Sequence, residues 1–561
     1  MQKPHSRFNQ SRIALGVATA LLSTSLSTQA LEFEFEKPGA RIDWDSSVSY
    51  GLMHRVQSPD PVNANTDDGT NNFDTGVVSN KVSVVSEADF QWGNYGFFVR
   101  GKALYDYRYE EQNTDQNNRT YFTDNSGDGN GDWTTDIFGI PVGGSVGDVA
   151  QEDFHPDTKD THGKDAFFLD AFFYGDFLLG DRLLSARLGR QVISWGESQF
   201  FPGISGTQTH VDASVAQAPG TELKEIFLPI GQLYGNFEVT PSISVEAYYQ
   251  YEWKKTKQAA VGSYWSNADT TGDGAERFLI VQEDVPVLGT IAVPFDVIGE
   301  DEPEGSSEEA QWGLALRYFM DDGTELGFYR TRYHDKFLSV RSITNESPAL
   351  PQLAAFPEAI QDYYQQDIDL WGASFTTMVG DFQVNGEISY HEDALPTQQT
   401  APTLDRATGS YVTPDFKTGR VTQGNVGFSY LFGSNPLADG AMVVGEAVYI
   451  RTNRKPSDLP EGVSMINTRD AWGYTVTAAL NYRSVVSGLD IDIPFSFKHA
   501  ADGTWKGVSL TEDAKSASIG AKFKYLNNWK ADLKYTTFWG SKKTHRNHDR
   551  DNISFSVTYS F

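Results

Sequence analysis

Few side chains in this 561-residue sequence have the types and spacing that enzymatic chemistry requires. His210 and Asp212 are separated by one residue, but no sequence motif marks a serine as their nucleophile. The sequence contains no H-E-x-x-H or P-loop motif and no cysteine. We therefore predict that the protein is not an enzyme. A hydrolase carried on a barrel stays open as an alternative, because its catalytic groups would come together only in space.

One segment has the oxygen spacing of a calcium-binding loop, with a glycine at the sixth position. Its predicted calcium ligands are Asp124, Ser126, Asp128, Asn130 and Asp132. The twelfth position is Thr135, so the bidentate glutamate of such loops is missing. The pattern predicts at most weak calcium binding and no other cofactor. Two alternatives stay open: a flexible, turn-rich loop, and a surface protein that binds calcium and transports nothing.

A further group of charges lies in a segment that is less polar than the other long connectors. Its apolar residues include Phe200, Phe201 and Ile204. Such a segment can bury its apolar side on the wall of a hollow fold and direct its charges at the pore. We therefore expect residues 195–230 to fold inward as a constriction or plug, although an outer loop packed on its neighbours is the alternative. The predicted constriction residues are Arg187, Arg190, Glu197, Asp212, Glu222, Lys224 and Glu225.

The elements that would position these charges are strands. Residues Ile553–Phe561 alternate strictly between apolar and hydroxyl side chains and end on an aromatic residue. Similar segments recur from Arg41 onward, joined by connectors that are alternately short and long. This pattern predicts an all-β fold: a transmembrane antiparallel β-barrel of about 18 strands (16–18) with long extracellular loops. Two soluble sandwiches could give a similar strand count, but they would not explain why every second connector is long.

The amino-terminal segment has the features of a secretory signal. Lys3, Arg7 and Arg12 precede the apolar run Ile13–Leu22, and Thr28-Gln29-Ala30 resembles a signal-peptidase site. We predict a signal peptide over residues 1–30 and a barrel over residues 31–561. The net charge of −30 disfavours nucleic acid as a partner. These features predict the bacterial outer membrane as the location, with its bilayer and lipopolysaccharide as surroundings.

Two sequence stretches resemble the signature of a Gram-negative outer-membrane family. They are G-R-Q-V-I-S-W-G-E-S at residues 189–198 and P-G-T-E-L-K-E-I-F-L-P at residues 219–229. The chain resembles this family, the domain of unknown function 1302, over nearly all of its length after the signal. The long acidic fourth loop departs from the family pattern.

The resemblance implies a porin-like channel or transporter for small hydrophobic or amphiphilic molecules. It also implies a partner lipoprotein and an inner-membrane exporter. Independently of the family, the terminal pattern Ile553–Phe561 resembles the signal that the barrel-assembly machinery recognises in outer-membrane barrels.

Overall fold

The structure is a computed structural model that describes most of the chain after residue 30. The described residues are 31–34, 39–60, 68–114, 136–137, 140–141, 153–266, 270–275, 277–285, 289–298, 311–344, 357–541 and 545–561. The predicted signal peptide lies outside them. So do the predicted calcium ligands Asp124, Ser126, Asp128, Asn130 and Asp132.

Alternating apolar and polar side chains place the chain in one large antiparallel sheet. Its strands are β1 Ala40–Arg55, β2 Gly76–Trp92, β3 Tyr95–Asp106, β4 Lys164–Leu179, β5 Arg182–Gln191, β6 Ile230–Thr240, β7 Ile243–Gln250, β8 Gln311–Phe319, β9 Glu325–Tyr333, β10 Ile368–Val379, β11 Phe382–Ala394, β12 Gly419–Phe432, β13 Gly440–Thr452, β14 Asp470–Val486, β15 Leu489–Asp502, β16 Lys515–Tyr525, β17 Trp529–Trp539 and β18 Asn552–Ser560. Each strand pairs with the next along the chain, which is the simplest connectivity for a barrel.

The sheet closes on itself through its first and last strands. Strands β1 and β18 pair in antiparallel register from Ser47–Ser560 to Arg55–Asn552. Closure gives every strand two neighbours and removes the open edges of the sheet. The predicted closed antiparallel barrel of about 18 strands is therefore confirmed. A short strand, Leu31–Glu34, pairs with residues 41–44 of β1 beyond the end of β18.

Short turns join the strands at one end of the barrel and long loops join them at the other. Gly93 and Gly180 have φ angles of 62° and 68°, which the tight turns β2–β3 and β4–β5 require. The long loops carry short helices at Asp68–Asn71, Tyr107–Glu110, Pro156–Thr158 and Lys159–Gly163, and 3₁₀ turns at Ser205–Thr207, Leu223–Glu225, Pro456–Asp458 and Lys506–Val508. Among the residues that the structure describes, no helix is long and apolar enough to cross a membrane.

Four of the long loops form a second sheet above the barrel. It consists of Arg277–Val285, Gly289–Ile298, Pro357–Tyr363, Ser339–Thr344, Gln398–Thr400 and Val463–Met465. Smaller paired segments are Asp136–Ile137 with Ile140–Pro141, His210–Val211 with Phe227–Leu228, and Thr403–Asp405 with Ser410–Val412. The pairings within the second sheet tie consecutive loops to one another at the long-loop end, whereas each smaller pair joins two segments of one loop.

The outer face of the barrel is a belt of exposed apolar side chains. On β5 and β11, for example, Leu188 is 50% exposed and Ile388 54%, while the alternate residue Glu387 is 6% exposed. Aromatic residues stand at both rims of this belt. They include Trp92, Tyr95 and Trp529 near the short turns, and Tyr249, Trp371, Tyr449 and Trp472 near the long loops. Such a belt with two aromatic girdles is the surface that a lipid bilayer covers in transmembrane barrels.

One predicted strand is shorter than the alternation indicates. The pattern of Tyr249, Tyr251 and Trp253 predicts a strand to Lys255, but β7 ends at Gln250. The Trp253 indole instead donates to the Asp335 carbonyl at 3.2 Å and packs edge-on against Tyr364 at 5.0 Å. Contacts between two loops thus override the strand preference of these residues.

Candidate functional site in the barrel lumen

The loop between β5 and β6, residues 192–229 (L3 below), lies against inward-facing side chains of the barrel wall. Strands β5 and β6 are neighbours, so the loop leaves the sheet and returns to it at almost the same place. Between those points it forms the 3₁₀ turn Ser205–Thr207, the hairpin of His210–Val211 with Phe227–Leu228, and the 3₁₀ turn Leu223–Glu225.

Two glutamates of the far wall hold the backbone of L3. Glu387 on β11 accepts the N–H groups of Glu197 at 2.7 Å, Ser198 at 3.1 Å and Ile204 at 3.0 Å. Both glutamates point inward and are almost fully buried, with 6% exposure for Glu387 and 3% for Glu446. Each carboxylate therefore satisfies several main-chain donors that would otherwise be buried without a partner.

Glu446 on β13 binds the next part of the same turn. Its oxygens accept the N–H groups of Gln199 at 2.5 Å, Phe200 at 3.0 Å and Phe201 at 3.3 Å. The side-chain amide of Asn425 on β12 donates to Glu446 at 2.6 Å and to the Phe201 carbonyl at 2.8 Å. Donors and acceptors of the loop backbone are thus both matched by the wall, which fixes the position of this turn.

A second cluster joins the start of L3 to strands β6, β7 and β8. The carboxylate of Glu246 accepts the Trp195 indole N–H at 2.7 Å, the Tyr234 hydroxyl at 2.8 Å and Nε of Arg317 at 2.6 Å. Arg317 also bonds Glu325 at 2.6 Å and lies 4.0 Å from Glu197. Burial, followed by the charge of Glu325, raises the pKa of the Glu197 carboxyl above its ordinary value.

Apolar packing adds to these polar contacts. Phe201 and Ile204 of L3 are fully buried at 0% exposure. Phe201 belongs to a cluster with Leu370 of β10 and Ile450 of β13, and Trp195 packs with Ile204 and Tyr248 of β7 in another. Burying side chains of this size contributes about 1.5–3 kcal/mol each. Burial of these apolar side chains therefore stabilises the position of L3 against the wall.

The other end of L3 contacts the opposite wall. Lys102 on β3 pairs with Glu225 at 2.8 Å, and both side chains are almost fully buried. Lys224 lies 3.4 Å from Glu87 on β2, and Lys530 on β17 lies 3.3 Å from Glu222. Strands β2 and β11 are nine strands apart, half of the circumference. L3 thus spans the lumen from one side to the other.

Glu222 and Glu225 also close the 3₁₀ turn between them. The Glu225 carboxylate accepts the backbone N–H of Glu222 at 2.8 Å, and the two form a capping box. Burial raises the pKa of Glu222, but Lys224 and Lys530 more than offset that effect, so the pKa of this carboxyl is lowered overall. Glu222 is therefore a carboxylate held between two cations.

Close approach to the wall requires a small residue on β1. A Cβ atom at Gly51 would lie 2.7 Å from the Pro219 carbonyl oxygen of L3. Real Cβ atoms do not approach an oxygen so closely, so any larger residue would push the loop away.

Beside L3 a cavity of about 540 Å³ stays open towards strands β3, β4 and β5. Its apolar lining includes Phe98, Phe172, Leu223 and Phe227. Three cationic side chains and one carboxylate also line it, namely Arg100, Arg187, Lys224 and Asp170. The volume is within the range of sites that take small organic ligands.

The structure brings five of the seven predicted constriction residues to the lumen. Arg187 faces it from β5, and L3 places Glu197, Glu222, Lys224 and Glu225 there. Asp212 is buried at 2% exposure, and its carboxylate accepts the backbone N–H of Ser214 at 3.0 Å. Arg190 lies on the outward-facing side of β5 and pairs with Glu252 at 3.3 Å.

Strand alternation places Glu246, Arg317 and Glu387 on the inward face but does not connect them with L3. The sequence analysis did not identify Glu446 or Trp195 as contact residues. Strand alternation could have placed Glu446 inward, because Tyr449 and Ala447 alternate with it. No signal in the sequence gives the partner of an inward glutamate across a wide lumen.

The two residues of the hydrolase alternative, His210 and Asp212, are both buried. His210 is buried at 6% exposure, and this lowers the pKa of its imidazole to about 3. Asp212 bonds Ser214 rather than His210. In the described part of the chain, no three His, Asp or Glu side chains are placed to hold a metal ion.

Comparison with known proteins agrees with the sequence signature. Residues 11–561 match the family described as "Protein of unknown function (DUF1302)". The chain belongs to this family. No curated protein matches the chain.

Several solved structures are similar to this chain at low identity. OccAB1 of Acinetobacter baumannii has 9% identity and a TM-score of 0.41, with 96% of this chain and 99% of that chain covered. A BenF-like porin from Pseudomonas fluorescens Pf-5 has 8% identity and a TM-score of 0.41, with coverages of 93% and 98%. OpdK of Pseudomonas aeruginosa, solved with vanillate, has 9% identity and a TM-score of 0.40, with coverages of 94% and 100%.

Proposed function

We propose that this DUF1302 protein is an outer-membrane channel for small amphiphilic molecules, and that L3 narrows its lumen. The observation that carries the proposal is the attachment of L3 to opposite walls, through Glu387 and Glu446 on one side and Lys102 on the other. An 18-strand barrel is too wide for its own wall side chains to fill. A loop fixed across it therefore sets the width and the charge of the passage.

The apolar outer belt supports a position in a bilayer, because so large an exposed apolar surface is not stable in water. The mixture of apolar and charged groups beside L3 favours amphiphilic over purely ionic cargo. The constriction groups that we propose are Arg187, Glu197, Glu222, Lys224 and Glu225. Arg190 is left out because it faces outward.

We do not assign an enzymatic role. A hydrolase would need an accessible nucleophile beside a histidine, whereas His210 is buried within L3 and its neighbour Asp212 is engaged by Ser214.

Single-channel conductance in planar bilayers tests the proposal. The protein without residues 1–30 is compared with a variant in which residues 203–219 are replaced by a short Gly-Ser linker. The variant keeps the turn that Glu446 holds at residues 199–201. We expect low conductance in the parent and higher conductance in the variant. No conductance in either protein, with heat-modifiable mobility showing that both are folded, would refute the channel.

A further inference from the structure

The cavity beside L3 has a charge that contrasts with the rest of the chain. The whole sequence has a formal charge of −30. The cavity lining instead contains three cations, Arg100, Arg187 and Lys224, against the single carboxylate of Asp170. A cation in this lining that the protein does not compensate would favour an anionic group.

The three cations are not equivalent. Arg100 bonds Glu87 at 2.7 Å and Asp170 at 2.7 Å, so its guanidinium already has two carboxylate partners. Lys224 lies 3.4 Å from Glu87 and 3.3 Å from Glu222. Both charges are therefore largely compensated by the protein.

Arg187 contacts aromatic rings rather than a carboxylate, although Asp170 lies in the same lining and acts on it at longer range. Its guanidinium lies over the Tyr234 ring at 4.5 Å and within 5.9 Å of the Phe172 ring. Among the described residues, no carboxylate oxygen lies within 4.0 Å of Arg187. Stacking fixes the plane of the guanidinium, whose one polar protein contact is with Tyr234, and its remaining N–H groups have no carboxylate partner in the described part of the chain. A planar guanidinium fork is well matched to a carboxylate, which it can bind through two parallel hydrogen bonds.

The apolar part of the lining lies beside this cation. Phe98 and Phe172 are tilted rings with centroids 5.4 Å apart, and L3 contributes Phe227 and Leu223. Leu223 is 66% exposed, although it lies on a segment whose other large apolar residues are mostly covered. An exposed leucine in a wet lumen is unfavourable unless a ligand covers it.

We propose that the cavity is a binding site for an amphiphile with an apolar body and a single carboxylate. Arg187 receives the carboxylate, and Leu223 with the phenylalanine rings receives the apolar body. This inference rests on the proposed channel function and names the class of its cargo.

Equilibrium binding of 4-phenylbutyrate, measured by calorimetry on the whole protein in nanodiscs, tests the proposal. The neutral amide of the same acid is the matched ligand. We expect Arg187→Gln to weaken binding of the acid at least tenfold, or about 1.4 kcal/mol, and to change binding of the amide less than twofold. Arg187→Lys keeps the charge but loses the fork, so its loss should be intermediate.

Two further variants separate the site from the general charge of the lumen. Lys522→Gln removes a lumen cation of β16 that pairs with Asp532 at 3.7 Å and does not line the cavity. It should leave both affinities within twofold. Leu223→Asn should weaken the acid and the amide alike, and its exposed position makes misfolding a poor explanation of any loss.

Equal affinity of the parent for acid and amide, or equal losses in Arg187→Gln and Lys522→Gln, would overturn the assignment. Binding does not require conduction, so the two proposals can fail separately. A protein that conducts but does not prefer the acid refutes the site alone. A protein that binds the acid but never conducts refutes the channel alone.

Discussion

The Nζ atom of Lys102 lies 2.8 Å from Oε2 of Glu225, in an ion pair whose side chains are 1% and 3% exposed. Lys102 belongs to the wall strand β3 and Glu225 to L3. Removing one partner of a buried pair leaves an uncompensated charge, which costs about 3–5 kcal/mol. The pair therefore decides whether this end of the loop stays in place.

Lys102→Met should release the adjoining part of L3. The chain has no cysteine, so Val215→Cys, at a position 6% exposed, can report opening through its rate of thiol labelling. We expect Lys102→Met to accelerate labelling about 100-fold or more. Lys102→Met/Glu225→Gln should recover most of the protection, because the carboxylate is then removed together with its partner. A single variant that labels at the parent rate would contradict the role of the pair.

Glu446→Gln should loosen the other end of the loop. The glutamine keeps the shape but has one oxygen, so its N–H₂ group faces either the N–H groups of Gln199 and Phe200 or those of Phe201 and Asn425. A lost buried hydrogen bond costs about 1–3 kcal/mol. Open-channel current in planar bilayers should then fluctuate more often between levels. Glu392→Gln, an outward-facing change on β11, is the matched control and should leave the current record unchanged. Equal noise in both variants would show that the wall glutamate does not hold L3.

Asp335, in the loop after β9, predicts a pH dependence of stability. Burial raises the pKa of its carboxyl from 3.8 to about 6. Between these two values the folded protein binds more protons than the unfolded chain, so stability falls as the pH rises from about 4 to 6. The free energy of unfolding should fall by on the order of 1 kcal/mol for each pH unit in this window. Guanidinium unfolding at several pH values should show this slope in the parent and lose it in Asp335→Asn. A slope that persists in the variant would assign the titration to another group.

Pro494 predicts a weak point in the barrel wall. The pairing of β15 with β16 is interrupted at Ile493 and Pro494, between the pairs Asp492–Lys522 and Phe495–Ile519. A proline has no N–H to donate to the neighbouring strand. Pro494→Val restores that donor, and we expect about 0.5–1.5 kcal/mol of additional stability, seen as a higher temperature for loss of the folded gel band. Ile493→Val, which changes no donor, should not raise it.

The barrel was accessible to prediction because its wall follows a rule that is local in sequence. Alternation from the sequence alone places Asp43, Asp45, Ser47 and Ser49 on the inner face of β1, where the structure has them. The same rule failed at Trp253, because the packing of that indole on Tyr364 depends on another loop.

The interior of the barrel was only partly accessible. The composition of residues 195–230 predicted an inward fold, and the structure places L3 against the wall. The composition of this segment could not indicate that Glu387 and Glu446 hold the loop, because those contacts join positions about 190 and 247 residues apart. Arg190 was predicted to face the lumen, but it lies on the outward-facing side of β5, directly after Gly189. Because side chains alternate along a strand, a difference of one residue decides which way a charge faces.

The long distance along the chain between L3 and the two glutamates that hold it, Glu387 and Glu446, has a consequence for how the protein folds. L3 is synthesised between β5 and β6, long before the strands that carry Glu387 and Glu446 exist. Contacts so distant along the chain form slowly, since the loop-closure entropy must be overcome first. Until β11 to β13 are in place, the N–H groups of residues 197–204 have only water as an acceptor. L3 therefore reaches its final position only after the barrel wall has formed. The refolding kinetics should contain a late phase that Glu446→Gln slows and Glu392→Gln does not.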